Sequence, residues 1–274
     1  MLSAMKPNGQ ETEMEDVVAE DACTETTLRR IAAMLNQVPP NSGIMPRGWH
    51  VALFAPDPAQ NTLRPDGYAG VGVPLPTTDL PRLMFGGRRT QFLGDIPVGR
   101  TVVRRSRLLS AVPKTGRSGR MLIATIRHEI ACDATPVLTE EQDFVLLEAA
   151  PPTAPAPAPQ HSPTVGGTPF IADEAMLLRF CALTFNTHRI HYDHPYATGV
   201  ESYPALVVNG SLTTLMLTEL FRARAGREPS SLVTRNLRPL FCRRANTLHA
   251  VEDDPWQLWA EDESGAPALE ARIA

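Results

Sequence analysis

Eight consecutive residues, Asn186-Thr187-His188-Arg189-Ile190-His191-Tyr192-Asp193, bring a carboxamide, two imidazoles, a guanidinium and a carboxylate close together in the chain. Ala197 and the run Val207-Val208-Asn209-Gly210 follow. Polar groups at this density are costly to order unless each has a partner, so a solvated surface loop is the plain alternative to a working site. Two chemistries suit these residue types. An imidazole, with an ordinary pKa of about 6.5, can take and return a proton at neutral pH. His188, His191, Asp193 and His194 are also donors that Zn²⁺ or Mn²⁺ accepts in a hydrolase. The metal reading is the weaker, because His191 and Asp193 diverge along an extended segment and His50, His128 and His249 are scattered. A site without metal is expected.

The elements that must hold this motif are legible on both sides of it. Residues 173–183 predict a helix capped by Asp173, with Met176, Leu177, Phe180 and Leu183 on one face, running straight into the motif. Residues 212–225 are apolar nearly all round and stop at Gly226, which predicts a buried helix with a glycine C-cap. Gly210 stands at its start, where unpaired N–H groups and the positive end of the helix dipole would meet a developing oxyanion, or where the chain simply turns. Residues 233–237, 247–251, 257–261 and 268–273 alternate as strands. A long buried helix beside an antiparallel sheet is an α+β arrangement, and a curved sheet wrapped on that helix is the hotdog shape.

Upstream, residues 28–35 predict a short helix and residues 49–54 a strand or buried turn, while residues 68–87 hold too many Pro and Gly for regular structure and should line a cleft. Residues 102–112 and 121–130 alternate, with Leu122, Ala124, Ile126, His128 and Ile130 on one side, and residues 113–120 supply the turn of an antiparallel hairpin. Residues 151–169 carry seven of the 26 prolines and read as an extended linker. The expected organisation is therefore an acidic, frayed stretch over 1–24, one domain over 25–150, the linker over 151–169 and a second domain over 170–274.

Composition narrows the function. A net charge of −4 offers no basic stripe for nucleic acid, and no apolar run approaches membrane-spanning length. Cys23, Cys132, Cys181 and Cys242 are too far apart in sequence for a short zinc motif or a small disulfide scaffold, which fits reduced thiols in a cytoplasm. The first twenty residues, with Lys6 as their one basic group, resemble neither a secretory signal nor a mitochondrial presequence.

From Asn186 to Ala197 the spacing resembles the MaoC-like hydratase motif, in which an acidic residue precedes a histidine by five positions, an Asp follows by two and an Ala comes four later. Asn186, His191, Asp193 and Ala197 occupy those places. More broadly, the chain is similar to the fused double-hotdog branch that holds mesaconyl-C4-CoA hydratases and mitochondrial-type 3-hydroxyacyl thioester dehydratases. The similarity covers Pro39-Pro40, Gly48-Trp49-His50, residues 81–87, 114–119, 127–130 and 140–143, and the C-terminal motif. Two positions depart: Asn186 replaces an Asp of the general motif, and Asn209-Gly210-Ser211 stands where the branch has His-Gly-Pro.

That resemblance implies a double hotdog and reversible hydration of an α,β-unsaturated acyl-CoA, short and branched or dicarboxylic. His191 would be the acid and base, Asn186 would orient the water through its amide, and Asp193 would orient His191 or else cap a helix ahead of Pro195. Gly210 would receive the thioester oxygen with Asn209 and Ser211 beside it. Arg189 is the candidate for an acyl carboxylate or, equally, for a supporting salt bridge, and Arg235, with Arg238, Arg243 and Arg244, for coenzyme A phosphates or for a plain solvated cluster. Coenzyme A is part of the substrate and no cofactor is implied. The N-terminal hotdog, lacking an Asn/His pair, would roof an acyl tunnel, leaving one site per chain, in a possible homodimer. Other readings are a 3-hydroxyacyl thioester dehydratase of fatty-acid synthesis and, given Asn186 and Asn209, a non-catalytic acyl-thioester-binding hotdog.

Overall fold

Antiparallel pairing organises the chain, and in a computed structural model residues 16–116, 119–148 and 166–274 are described. The first half contains β1 (Val17–Ala22), α1 (Glu25–Met34), β2 (Ile44–Met45), β3 (Arg82–Phe92), β4 (Ile96–Pro97), β5 (Thr101–Gly116), β6 (Gly119–Cys132) and β7 (Thr135–Leu147). The second contains β8 (Thr168–Phe170), α2 (Glu174–Thr184), α3 (His194–Gly199), α4 (Gly210–Ala225), β9 (Ser231–Asn236), β10 (Asn246–Val251), β11 (Trp256–Glu261) and β12 (Pro267–Ile273). Ten strands form one sheet in the order β1-β5-β6-β7-β3-β9-β12-β11-β10-β8, and β2 pairs with β4 in a separate ribbon.

In the second half the sheet wraps α4. Leu212, Leu217 and Phe221 are completely buried and Leu215 nearly so, each such side chain contributing roughly 1.5–3 kcal/mol through removal from water. The helix ends where Gly226 takes a left-handed conformation with φ 65°. No helix of comparable length lies against the first-half strands among the described residues. They are covered by a 3₁₀ turn, Trp49–Ala52, and by irregular chain in which Val71 and Leu75 pack near Ile126 and Phe144, and Leu80 near Leu122 and Leu146.

The halves meet at β3 and β9, paired from Gly87 with Arg235 to Gln91 with Ser231. Gly87 is required there: with φ 153°, a Cβ would lie 2.2 Å from the Thr234 carbonyl oxygen. Trp49 reinforces the seam, its indole N–H donating to Glu219 of α4 at 2.7 Å.

Several expectations are corrected. Residues 82–92 form a strand despite Gly86-Gly87, because a bulge between Phe85 and Gly87 absorbs them. The hairpin ladder runs on from the expected strand ends to Gly116 paired with Gly119. Pro113 is tolerated because, among the described residues, β1 covers β5 only up to Ser106 and the outer edge of the later residues has no ladder partner. Part of the stretch expected to fray, Val17–Ala22, is the edge strand β1; the rest, up to residue 15, lies outside the described residues. Of the expected linker, residues 151–165 lie outside them too, while Thr168–Phe170 pairs with β10. No helix among the described residues is long and apolar enough to cross a membrane.

Candidate active site

The motif residues hang from the end of α2. Phe185 stops that helix in a left-handed conformation with φ 47°, and the Asn186 N–H returns to the Cys181 carbonyl at 2.9 Å. The Asn186 side-chain oxygen then accepts the His188 N–H at 3.0 Å, a local turn that fixes the carboxamide against its own backbone. A 3₁₀ turn over Arg189–His191 follows.

The first half clamps this segment from outside. The Asp66 carbonyl accepts the Arg189 N–H at 2.9 Å, the Thr187 hydroxyl donates to the Gly67 carbonyl at 2.6 Å, and the Tyr68 ring lies 5.6 Å from that of His188.

His191 is 8 % exposed, and its Nδ1 lies 2.8 Å from the Val207 carbonyl oxygen. A carbonyl only accepts, so Nδ1 carries the hydrogen and Nε2 is left with a lone pair. Burial pushes the His191 pKa down to about 3, with His188 adding to the shift and the Val207 hydrogen bond opposing it. His188, edge-on to His191 at 5.6 Å, is also lowered by burial, against the pull of Asp66.

A cavity of about 440 Å³ lies between the two halves. Asn186, His188 and His191 line it together with Asn209, Gly210 and Ser211 at the start of α4. Gly210 opens α4, whose first-turn N–H groups have no acceptor within the helix. A Cβ at Gly210 would meet the Asn236 side-chain oxygen at 3.0 Å. Asn209 is buried, with its Nδ2 3.9 Å from the Cys181 sulfur and its side-chain oxygen without a hydrogen-bond partner among the described residues.

Other expected site residues are placed differently. Asp193 caps α3 by accepting the Tyr196 N–H at 3.1 Å and binds Arg189 Nη2 at 2.8 Å. Arg189 also stacks 4.0 Å from the Tyr196 ring. Neither borders the cavity, so each satisfies the other, and the helix-cap role is the one Asp193 visibly has. Arg235 lies exposed on β9 and does not border the cavity either. Arg238, Arg243 and Arg244 are tied to Asp262, Glu174 and Glu263. Ser211 lines the cavity, but its hydroxyl accepts from Arg88 Nη2 at 2.5 Å. Among the described residues, no three His, Cys, Asp or Glu side chains are grouped so that they could hold a metal ion.

The sequence reading missed a buried polar row in the first-half strands, from which His128 and Glu140 border the cavity. Ser106, His128, Glu140 and Thr90 face one another across four strands. Glu140 accepts from Thr90 at 2.7 Å and lies 3.2 Å from His50 Nε2; burial raises its carboxyl, but Arg88 and His50 hold it well below the ordinary range. The available signal was His128, whose alternation with Ile126 and Ile130 puts an imidazole on an inward face.

A profile of the hydroxyacyl-thioester dehydratase type 2 family matches residues 48–242. The mesaconyl-C(4)-CoA hydratase of Chloroflexus aurantiacus is 35% identical over 265 residues, covering 93% of each chain. Among solved structures, HtdX from Mycobacterium tuberculosis is similar with a TM-score of 0.68 and 18% identity, over 94% of this chain and 98% of that one. Another M. tuberculosis protein, described as a double hotdog, has a TM-score of 0.60 and 13% identity over 94% and 95%. The arrangement of sheet and helix described above is thus a double hotdog.

Proposed function

We propose that this chain, which belongs to the hydroxyacyl-thioester dehydratase type 2 family and is a hydro-lyase of α,β-unsaturated acyl thioesters, acts on a short branched or dicarboxylic enoyl-CoA, as in mesaconyl-C4-CoA to citramalyl-CoA. The observation that carries the site assignment is the His191 hydrogen bond to Val207, which leaves Nε2 as an unprotonated base beside the cavity.

In this reading the thioester oxygen lies at the first-turn N–H groups of α4, at Gly210. Water held by the Asn186 carboxamide attacks Cβ while His191 Nε2 takes its proton, and the electron pair of the double bond moves towards the thioester oxygen as an enolate. The N–H donors stabilise that charge, a type of contact whose loss costs a few kcal/mol of barrier. The imidazolium then returns the proton to Cα, and the enolate collapses to the 3-hydroxyacyl thioester. Dehydration is the same path reversed.

The lowered pKa of His191 keeps the resting imidazole neutral, with the Nε2 lone pair free to accept a proton. Coenzyme A arrives with the substrate and no separate cofactor enters the cycle. The four buried free cysteines suit a cytoplasmic protein, and the reading includes a homodimer with one site per chain.

A panel of mesaconyl-C4-CoA, crotonyl-CoA and longer enoyl-CoAs, followed by loss of the conjugated-thioester absorbance, tests the reading. His191→Ala is expected to lower kcat by at least about 10²-fold on any accepted member. Activity within tenfold of the parent would remove His191 from the acid–base role. Fastest turnover of the long-chain members would favour the fatty-acid-synthesis dehydratase, and acyl-CoA binding without turnover would favour a non-catalytic hotdog.

A further inference from the structure

Among the described residues, four arginines border the cavity. Arg82 lies 3.4 Å from Glu201, Arg238 3.5 Å from Asp262 and Arg88 3.5 Å from Glu140. Arg104 has no carboxylate within ion-pair distance among the described residues; its guanidinium lies over the Phe54 ring at 4.9 Å. Arg88, on β3, interacts with Glu140 on the first-half wall, while Arg104, on β5, interacts with Glu140 and with Asp21 of β1 only at longer range. His128 does not add to the positive charge, since burial and Arg104 push its pKa down to about 4.

The same wall carries spare hydrogen-bonding capacity. The Nε atoms of Arg88 and Arg104 and Nδ1 of His50 are buried without a hydrogen-bond partner among the described residues. A desolvated guanidinium without a direct ion pair is costly, and so is a buried donor with no acceptor. The first cost falls when an anion enters the cavity beside the guanidiniums, and a carboxylate matches the fork of a guanidinium. Arg88 also reaches the reaction centre: Arg88 Nη2 lies 2.5 Å from Ser211 Oγ, one residue beyond Gly210.

We propose that Arg88 and Arg104 form the receptor for a free carboxylate on the acyl group, which makes the enzyme selective for dicarboxylic enoyl thioesters. The assignment rests on the hydratase reading above for the placement of the thioester at Gly210. It moves the task from Arg189, which Asp193 already neutralises. In mesaconyl-C4-CoA the carboxylate is carried by the carbon that water attacks, so Arg88 meets it first and Arg104 adds charge behind.

The test separates recognition from turnover. In His191→Ala protein, calorimetry measures Kd for mesaconyl-C4-CoA and for 3-methylcrotonyl-CoA, in which a methyl group replaces the carboxylate. The dicarboxylic thioester is expected to bind at least tenfold more tightly. Arg104→Met should shrink that preference, Arg104→Lys should regain part of it, and Arg88→Met combined with Glu140→Gln should shrink it without leaving a lone buried carboxylate. Thermal melting checks that each variant is folded. Equal Kd values for the two thioesters overturn the proposal, as does a preference unchanged by every arginine replacement. A binding preference intact in a wild-type protein that hydrates no enoyl-CoA would instead remove the hydratase reading and leave the receptor standing.

Discussion

The fold keeps His191 uncharged, as the proposed role of a base requires. Burial lowers its pKa to about 3 and that of His128 to about 4, against about 6.5 in an unfolded chain. Between those values the unfolded chain binds protons that the folded one does not, so stability falls as pH drops from about 6.5 towards 3. At pH 5 the folded imidazoles are still neutral and the unfolded ones charged, which costs about 2 kcal/mol for each relative to pH 7.5. Urea unfolding at the two pH values should therefore show a clear loss at pH 5, and His128→Gln with His191→Gln should reduce that loss. If the double variant loses as much as the parent, these imidazoles are not held neutral by the fold.

At the level of elements, the proposed catalytic segment depends on the loop that clamps it. Gly67 has φ +79°, and a Cβ there would stand 2.3 Å from the Thr187 carbonyl oxygen, so any side chain must push apart the loop and the segment holding Asn186, His188 and His191. Misplacement of reacting groups by about 1 Å costs up to about 10²-fold in rate. Gly67→Ala is expected to lower kcat at least tenfold, measured with the best enoyl-CoA; a value within threefold of the parent would mean that this clamp does not position the chemistry. This contact was not legible in the sequence, since nothing local links residue 67 to residue 187. The α2 and α4 helices and the four last strands were legible, because helical or alternating apolar patterns and the Asp173 and Gly226 caps are local signals. The Asn186–His191 spacing was legible through the family motif. Missed were β7, in which Glu140 and Gln142 face a buried network while Glu141 and Asp143 pair with Arg89 on the exposed side, and the arginine wall, because an ion pair across strands leaves no trace in spacing. Of the two readings of Arg189, the salt bridge is the one found, with Asp193 four residues on as its partner.

At the scale of the whole molecule, the site is a joint product of the two halves. One wall carries His191 and the start of α4, the other Arg88, Arg104 and Glu140, and the β3–β9 ladder makes the sheet continuous between them. Across the seam, Arg222 Nη2 donates to the Arg47 carbonyl at 2.7 Å and the Arg47 N–H donates to Glu228 at 3.0 Å. Such an interface resembles one between subunits, with a sheet edge that would otherwise seek another partner. Cutting the chain at residue 150 should thus give two fragments, 1–150 and 151–274, that co-purify when expressed together and regain at least a tenth of the intact kcat/KM. The C-terminal fragment alone should be inactive, because its cavity would lack the first-half wall. Size-exclusion chromatography with the absorbance assay decides it: fragments that never associate would make the covalent connection essential, and turnover by the C-terminal fragment alone would make the N-terminal wall, with its arginines, dispensable to the chemistry.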